Sequence, residues 1–188
     1  MGYDMYTVTK DPDEEAAVAD IRTRMSAASR EQRQADWEQL REELHKTQRS
    51  YFRLNIWGMG AARELMYDAG MLDTETVERT WPDSDTFGIT DAMWDDWDGE
   101  PDENTPAELL TYHKACQAVT DAQREKPTGI PLHKLNSNDG WLVTPDEIAA
   151  ALERYVLGDG VTANAPVWWA DWIAWLRYAQ EHGGFRVR

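Results

Sequence analysis

The sequence predicts a mostly helical α+β fold of five or six helices with a small antiparallel sheet or hairpin. Three observations predict it. Helix-start signals recur along the chain, at Asp11-Pro12, Thr105-Pro106 and Thr144-Pro145. Apolar residues behind them repeat at helical spacing. Only short β-prone runs lie between, at the two ends and around 132–143.

Tyr3 to Thr9, rich in Tyr, Thr and Val, reads as a short strand. Asp11-Pro12-Asp13-Glu14 then opens a helix, with an Asp cap, proline in the first turn and acids at the positive end of the dipole. Val18, Ile21 and Met25 supply its apolar stripe. Ser29 and Gln32 have the spacing of a capping box, and Trp37, Leu40 and Leu44 follow on one face. A helical hairpin and one long helix both fit this stretch. Residues 51–57 alternate like a strand but also fit the entry to a helix. Gly58-Met59-Gly60 is expected to break the segment, with a helix over Ala61 to Ala69 and Gly70 as its left-handed cap.

Residues 80–113 hold ten acids and no Lys or Arg, with Trp81, Phe87, Trp94 and Trp97 interleaved. The aromatic load is too high for plain disorder, so some of these rings must pack back onto the domain. A long acidic loop with one turn of helix is expected at about 80–105. A helix should then run from Thr105-Pro106 to about Glu125. Leu132–Leu135, the polar turn 136–140 and Trp141–Val143 read as a hairpin. Thr144-Pro145-Asp146-Glu147 is a capping box that opens the next helix. Pro166 starts the last one, whose apolar residues cover more than half its circumference, as in a helix buried on most sides. Trp168 and Trp169 are neighbours about 100° apart on it, so at least one should lie near the surface or against another element or chain. Gly183-Gly184 ends it, and Phe185-Arg186-Val187 adds a final strand. Residues 1–188 are read as one globular domain.

Charge and composition exclude several functions. The net charge of −16, from 35 acids and 19 bases, argues against direct nucleic-acid binding, which needs a basic face. The same charge repels anionic lipid, and no apolar run approaches the ~20 residues of a membrane span. A single cysteine, Cys116, fits a reducing compartment, so a cytoplasmic location is expected. Phosphate-loop, dinucleotide, nucleophile-elbow and paired-cysteine zinc motifs are absent, and no cofactor is expected. An EF-hand reading of Asp96, Asp98 and Gly99 puts Trp94 and Thr105 at the first and last ligand positions, so no metal is expected there. His113 and Cys116 share a helical face, but two ligands make no metal site.

Two segments carry more directed polar groups than loops need. One supplies Arg53, Asn55 and Trp57; the other supplies Asn136, Asn138, Asp139 and Trp141, with His133 just before it. Amides, a guanidinium, a carboxylate and indoles together are the mixture of a small-molecule pocket. The plainer alternative is that 136–140 is only a turn and Asn55 only a cap. Ten tryptophans in the chain add the aromatic surface from which grooves are built. The first reading is therefore a non-catalytic binding protein that holds a small molecule or a partner protein in a Trp-lined groove. The second is an acidic mimic of nucleic acid that blocks a basic protein. The third is a hydrolase or transferase, for which Arg53, Asn55, His133 and Asp139 would be the first residues to mutate.

Overall fold

The computed structural model describes residues 2–27, 33–75, 79–95, 97, 101–157 and 165–188. Four strands, β1 (Gly2–Thr7), β2 (Tyr51–Asn55), β5 (Trp141–Val143) and β6 (Phe185–Val187), form an antiparallel sheet in the order β2-β1-β6-β5. A separate parallel pair joins β3 (Leu72–Asp73) to β4 (Ile130–Pro131). The helices are α1 (Pro12–Ala27), α2 (Arg33–Thr47), α3 (Ile56–Asp68), α4 (Asp91–Asp95), α5 (Ala107–Thr120), α6 (Pro145–Leu157) and α7 (Trp168–Glu181). The fold is thus mostly helical α+β, as the sequence predicts. Among the described residues no helix is long and apolar enough to cross a membrane.

Strand alternation sorts the sheet into two faces. Met5, Phe52, Leu54, Val143, Phe185 and Val187 point one way and join the core. Asp4, Tyr6, Tyr51, Arg53 and Arg186 point the other way. Against the apolar face lies α7, in which Trp169, Trp172, Ile173, Trp175 and Leu176 are buried. Trp172 stacks on Trp175 with ring centroids 5.6 Å apart, and both meet Phe52 and Phe185. Each buried indole contributes on the order of 4 kcal/mol gross from apolar area. Trp175 satisfies its N–H on the Arg49 carbonyl at 2.9 Å, whereas the Nε1 atoms of Trp169 and Trp172 are buried without a partner. Trp168 is only half-buried beside buried Trp169, which meets the expectation that the two diverge.

β6 can lie between β1 and β5 only because the chain reverses sharply behind α7. Gly183 and Gly184 both take positive φ, +80° and +85°. A Cβ on Gly184 would sit 2.1 Å from the Val143 carbonyl oxygen, so only glycine allows this approach.

Helices α1 and α2 form a hairpin closed by Arg24 and Glu43 at 2.6 Å, which decides for two helices over one. The Ser29–Gln32 signal between them lies outside the described residues, as do Asp96, Asp98 and Gly99 of the calcium reading. Glu14 in the first turn of α1 accepts from the Ser50 amide and from the Tyr178 hydroxyl, tying that helix to β2 and α7. Burial, then Glu14, pushes the Tyr178 phenol up to about 12.

One open reading is resolved, and four local expectations need correction. Segment 51–57 is strand and helix in turn: β2 ends at Asn55, whose side chain caps α3 by accepting from the Gly58 amide at 2.7 Å. Gly58 and Gly60 therefore lie inside α3 rather than breaking it, and a Cβ on Gly58 would crowd the capping oxygen at 3.3 Å. Thr105 does not cap α5, because its hydroxyl is held by Asp102, and α5 ends at Thr120, where Asp121 turns out to meet Arg186. Leu132–Leu135 is a 3₁₀ turn and not the first strand of a hairpin. Lys134 and Leu135 are both fully buried, and consecutive residues of a strand cannot face the same core.

The capping box at Thr144 forms as read. The Thr144 amide donates to Glu147 Oε2 at 2.9 Å, and the Glu147 amide donates to Thr144 Oγ1 at 3.3 Å. Glu147 also meets Lys134 Nζ at 2.7 and 2.9 Å, with both side chains buried, and Lys134 donates a third bond to the Leu142 carbonyl at 2.6 Å. Burial holds the Lys134 ammonium below its ordinary pKa, and Glu147 opposes that shift. A buried pair is costly to split but tolerates joint replacement. Glu147→Gln should therefore destabilise the protein by about 3–5 kcal/mol in urea unfolding, and Lys134→Met/Glu147→Leu by much less. Equal losses from the single and double variants would contradict this account.

Candidate functional site

Beyond the edge strand β5, the turn 136–140, α5 and the segment around Trp81 enclose a cleft of about 430 Å³. Trp81, His113, Cys116 and Gln117 line it, together with Asn138, Asp139, Gly140, Arg186 and Arg188. One α5 face presents His113 and Cys116 together, as their spacing predicts. The Tyr112 phenol is raised by its hydrogen bond to the Cys116 thiol and, secondarily, by burial.

Trp81 is held from behind. Its ring meets Trp141 edge-on at 5.6 Å, and Trp141 in turn meets His133 edge-on at 4.9 Å. Trp141 is fixed by its N–H, which donates to Ser137 Oγ at 3.0 Å, and by the Arg79 guanidinium 5.4 Å from its ring centre. Arg79 Nε donates to His133 Nε2 at 3.1 Å, so that nitrogen is an acceptor and the imidazole is neutral. Burial first, then the cations Arg79, Lys134 and Arg124, push His133 down to about 4. His133 is thus a neutral pillar behind the indoles, with its Nε2 lone pair already in use.

The polar wall is equally fixed. Asn138 Nδ2 donates to the Gly2 carbonyl at 2.9 Å, and Ser137 Oγ donates to Asp139 Oδ2 at 2.5 Å. Arg186 donates to the Gly140 carbonyl at 2.8 Å and to Asp121 at 2.6 Å. Each of these groups keeps hydrogen-bonding capacity beyond its protein partner. Among the described residues no three His, Cys, Asp or Glu side chains lie close enough together to hold a metal ion.

Of the residues singled out in the sequence, Asn138 and Asp139 line the cleft, and His133 and Trp141 stand behind it. Asn136 braces the turn from outside: its side chain accepts from Arg63 at 2.6 Å and its carbonyl from the Tyr3 hydroxyl at 3.2 Å. Arg53, Asn55 and Trp57 do not line the cleft. Arg53 lies 3.6 Å from Asp4 on the outer sheet face, Asn55 is spent on its cap, and Trp57 is 86% exposed at the start of α3. Trp81, Arg79, Arg186 and Arg188 carry no local motif. The one sequence signal for Trp81 is an aromatic in an acidic stretch that needs a packing partner.

The displaced His133 titration has a consequence for stability. With about 6.5 unfolded and about 4 folded, the unfolded chain binds the extra proton between those values. Stability should fall as pH drops from about 6.5 to 4, by roughly 1–2 kcal/mol after allowing for the ring's partial exposure. Chemical denaturation across that range checks it: His133→Gln should flatten the slope, and an unchanged slope would rule the account out.

No protein-family model, no curated protein and no solved structure matches this chain, so its chemistry is read from the cleft itself.

Proposed function

We propose that this is a non-catalytic binding protein that holds a small organic molecule in the cleft beside Trp81. One observation carries the reading: a half-exposed indole, braced by Trp141, lines a cleft together with a set of fixed polar groups. A rigid apolar plate beside a few directed donors and acceptors is what small-molecule sites are made of. Pre-fixing these groups lowers the ordering cost of binding. A concave site of this size suits a small ligand better than a protein surface.

Binding is favoured over catalysis by what the titratable groups do. His133 is half-buried, neutral and engaged by Arg79. The Cys116 thiol lies beside the Tyr112 phenol and raises it, and Ser137 Oγ lies between Trp141 and Asp139. Each is used as a strut. We place the ligand in the cytoplasm, the compartment that one unpaired cysteine fits.

Native mass spectrometry of the protein, purified undenatured from its own cells, tests this. A reproducible mass excess should appear and vanish on denaturation. Trp81→Ala should cut the occupied fraction about tenfold, since aromatic anchors dominate such sites. Its melting temperature should change little, because the Trp81 ring is not part of the core. No mass excess, or one indifferent to Trp81→Ala, would overturn the proposal.

A further inference from the structure

Two hollows meet at the last strand. Arg186 on β6 and Arg188 just beyond it line the cleft beside Trp81, and the same two arginines line a second hollow of about 400 Å³ with Tyr6, Thr7, Val8 and Lys10. Among the described residues, every charged residue lining the second hollow is a cation, on a chain with 35 acids and 19 bases. Solubility does not require such a concavity on an acidic protein, and the overall negative field works against anions arriving there.

The backbone at Arg188 and the guanidinium of Arg186 are held in place. Arg188 exchanges both its amide and carbonyl bonds with Asp4, each at 2.7 Å. Arg186 sits directly opposite Tyr6 on one side and Leu142 on the other. Its Nη atoms are clamped by the Gly140 carbonyl and Asp121, which fixes the guanidinium plane while other N–H directions remain. Lys10 is paired with Glu15 at 3.3 Å in an exposed, weakly held contact. Glu15, Asp121 and Asp4 lie outside the lining of the hollow. Arginine forks match the planar or tetrahedral geometry of oxyanions.

We propose that this second hollow is an oxyanion subsite, in which Lys10, Arg186 and Arg188 hold the phosphate or carboxylate group of a small molecule whose body lies beside Trp81. The proposal rests on the binding reading above and names the chemistry of its ligand.

Titration of the nitrogen-15-labelled full chain with sodium pyrophosphate, and separately with succinate, tests it. Saturable shifts are expected at the Val8, Gly140, Arg186 and Arg188 amides, weaker at about 300 mM than at about 50 mM salt. Arg188→Gln and Lys10→Gln should each weaken binding about fivefold or more. Tighter pyrophosphate than succinate assigns a phosphate ligand, and the reverse assigns a carboxylate. Absence of saturable shifts with both anions, or shifts unchanged in both variants, overturns the subsite. A cell-derived adduct lost in Trp81→Ala but retained in Arg188→Gln overturns the subsite and leaves the binding reading intact. Saturable pyrophosphate binding with no adduct at all does the reverse.

Discussion

The buried ion pair between Lys134 and Glu147 is the constraint from which this arrangement follows. Two charges out of water are tolerable only when their donors and acceptors are filled. Lys134 donates to both Glu147 oxygens and to the Leu142 carbonyl, and Glu147 also takes the Thr144 amide. One carboxylate therefore fixes the 3₁₀ turn 132–135, the strand β5 and the first turn of α6 relative to one another. The turn 136–140 is suspended between two of those points. So is Trp141, and with it the brace behind Trp81. The cleft is rigid on that side because the pair beneath it cannot loosen without stranding a charge.

Tryptophan is used in two different ways on either side of that anchor. In α7 it fills the core: Trp172 and Trp175 stack over Phe52 and Phe185 and close the sheet's apolar face. Apolar area is so large there that two indole N–H groups, on Trp169 and Trp172, are buried without a partner. Around the cleft the indoles are polar-edged plates instead. Trp141 satisfies its N–H on Ser137, and Trp81 stays half in solvent. The acidic segment belongs to the second setting, since Phe87 and Trp94 pack edge-on against Tyr112 of α5, and Trp97 meets His113. Its carboxylates keep it in water while its rings fasten it to the helix that forms one wall of the cleft.

Charge is distributed with the same economy. The chain is strongly acidic, yet its last strand carries Arg186 and Arg188 on the outer face of the sheet beside the cleft. Neither lies in a basic run, and the stretch reads locally only as the end of a strand. Their grouping with Lys10 comes from the pairing of β6 with β1, which sets residues 4–7 against 185–188. A sequence scan for basic patches passes over them for that reason.

What the sequence determined by itself is what depends on neighbours a few residues apart. The Asp11-Pro12 start, the Thr144–Glu147 capping box, the buried face of α7 and the Gly183-Gly184 reversal all follow from local spacing and backbone freedom, and they suffice for the fold class. His113 and Cys116 on one face, and Asn138 and Asp139 in an over-specified turn, were legible for the same reason. Tertiary structure decided the rest, because the deciding partner lay far along the chain. Leu132–Leu135 turned from strand to 3₁₀ because Lys134 met Glu147. Asn55, legible as a cap or a ligand, became a cap because Gly58 fitted beneath it. Trp81, Trp141 and Arg186 became one site only when β6 entered the sheet between β1 and β5, since a cleft is a relation between distant side chains and no local pattern encodes it.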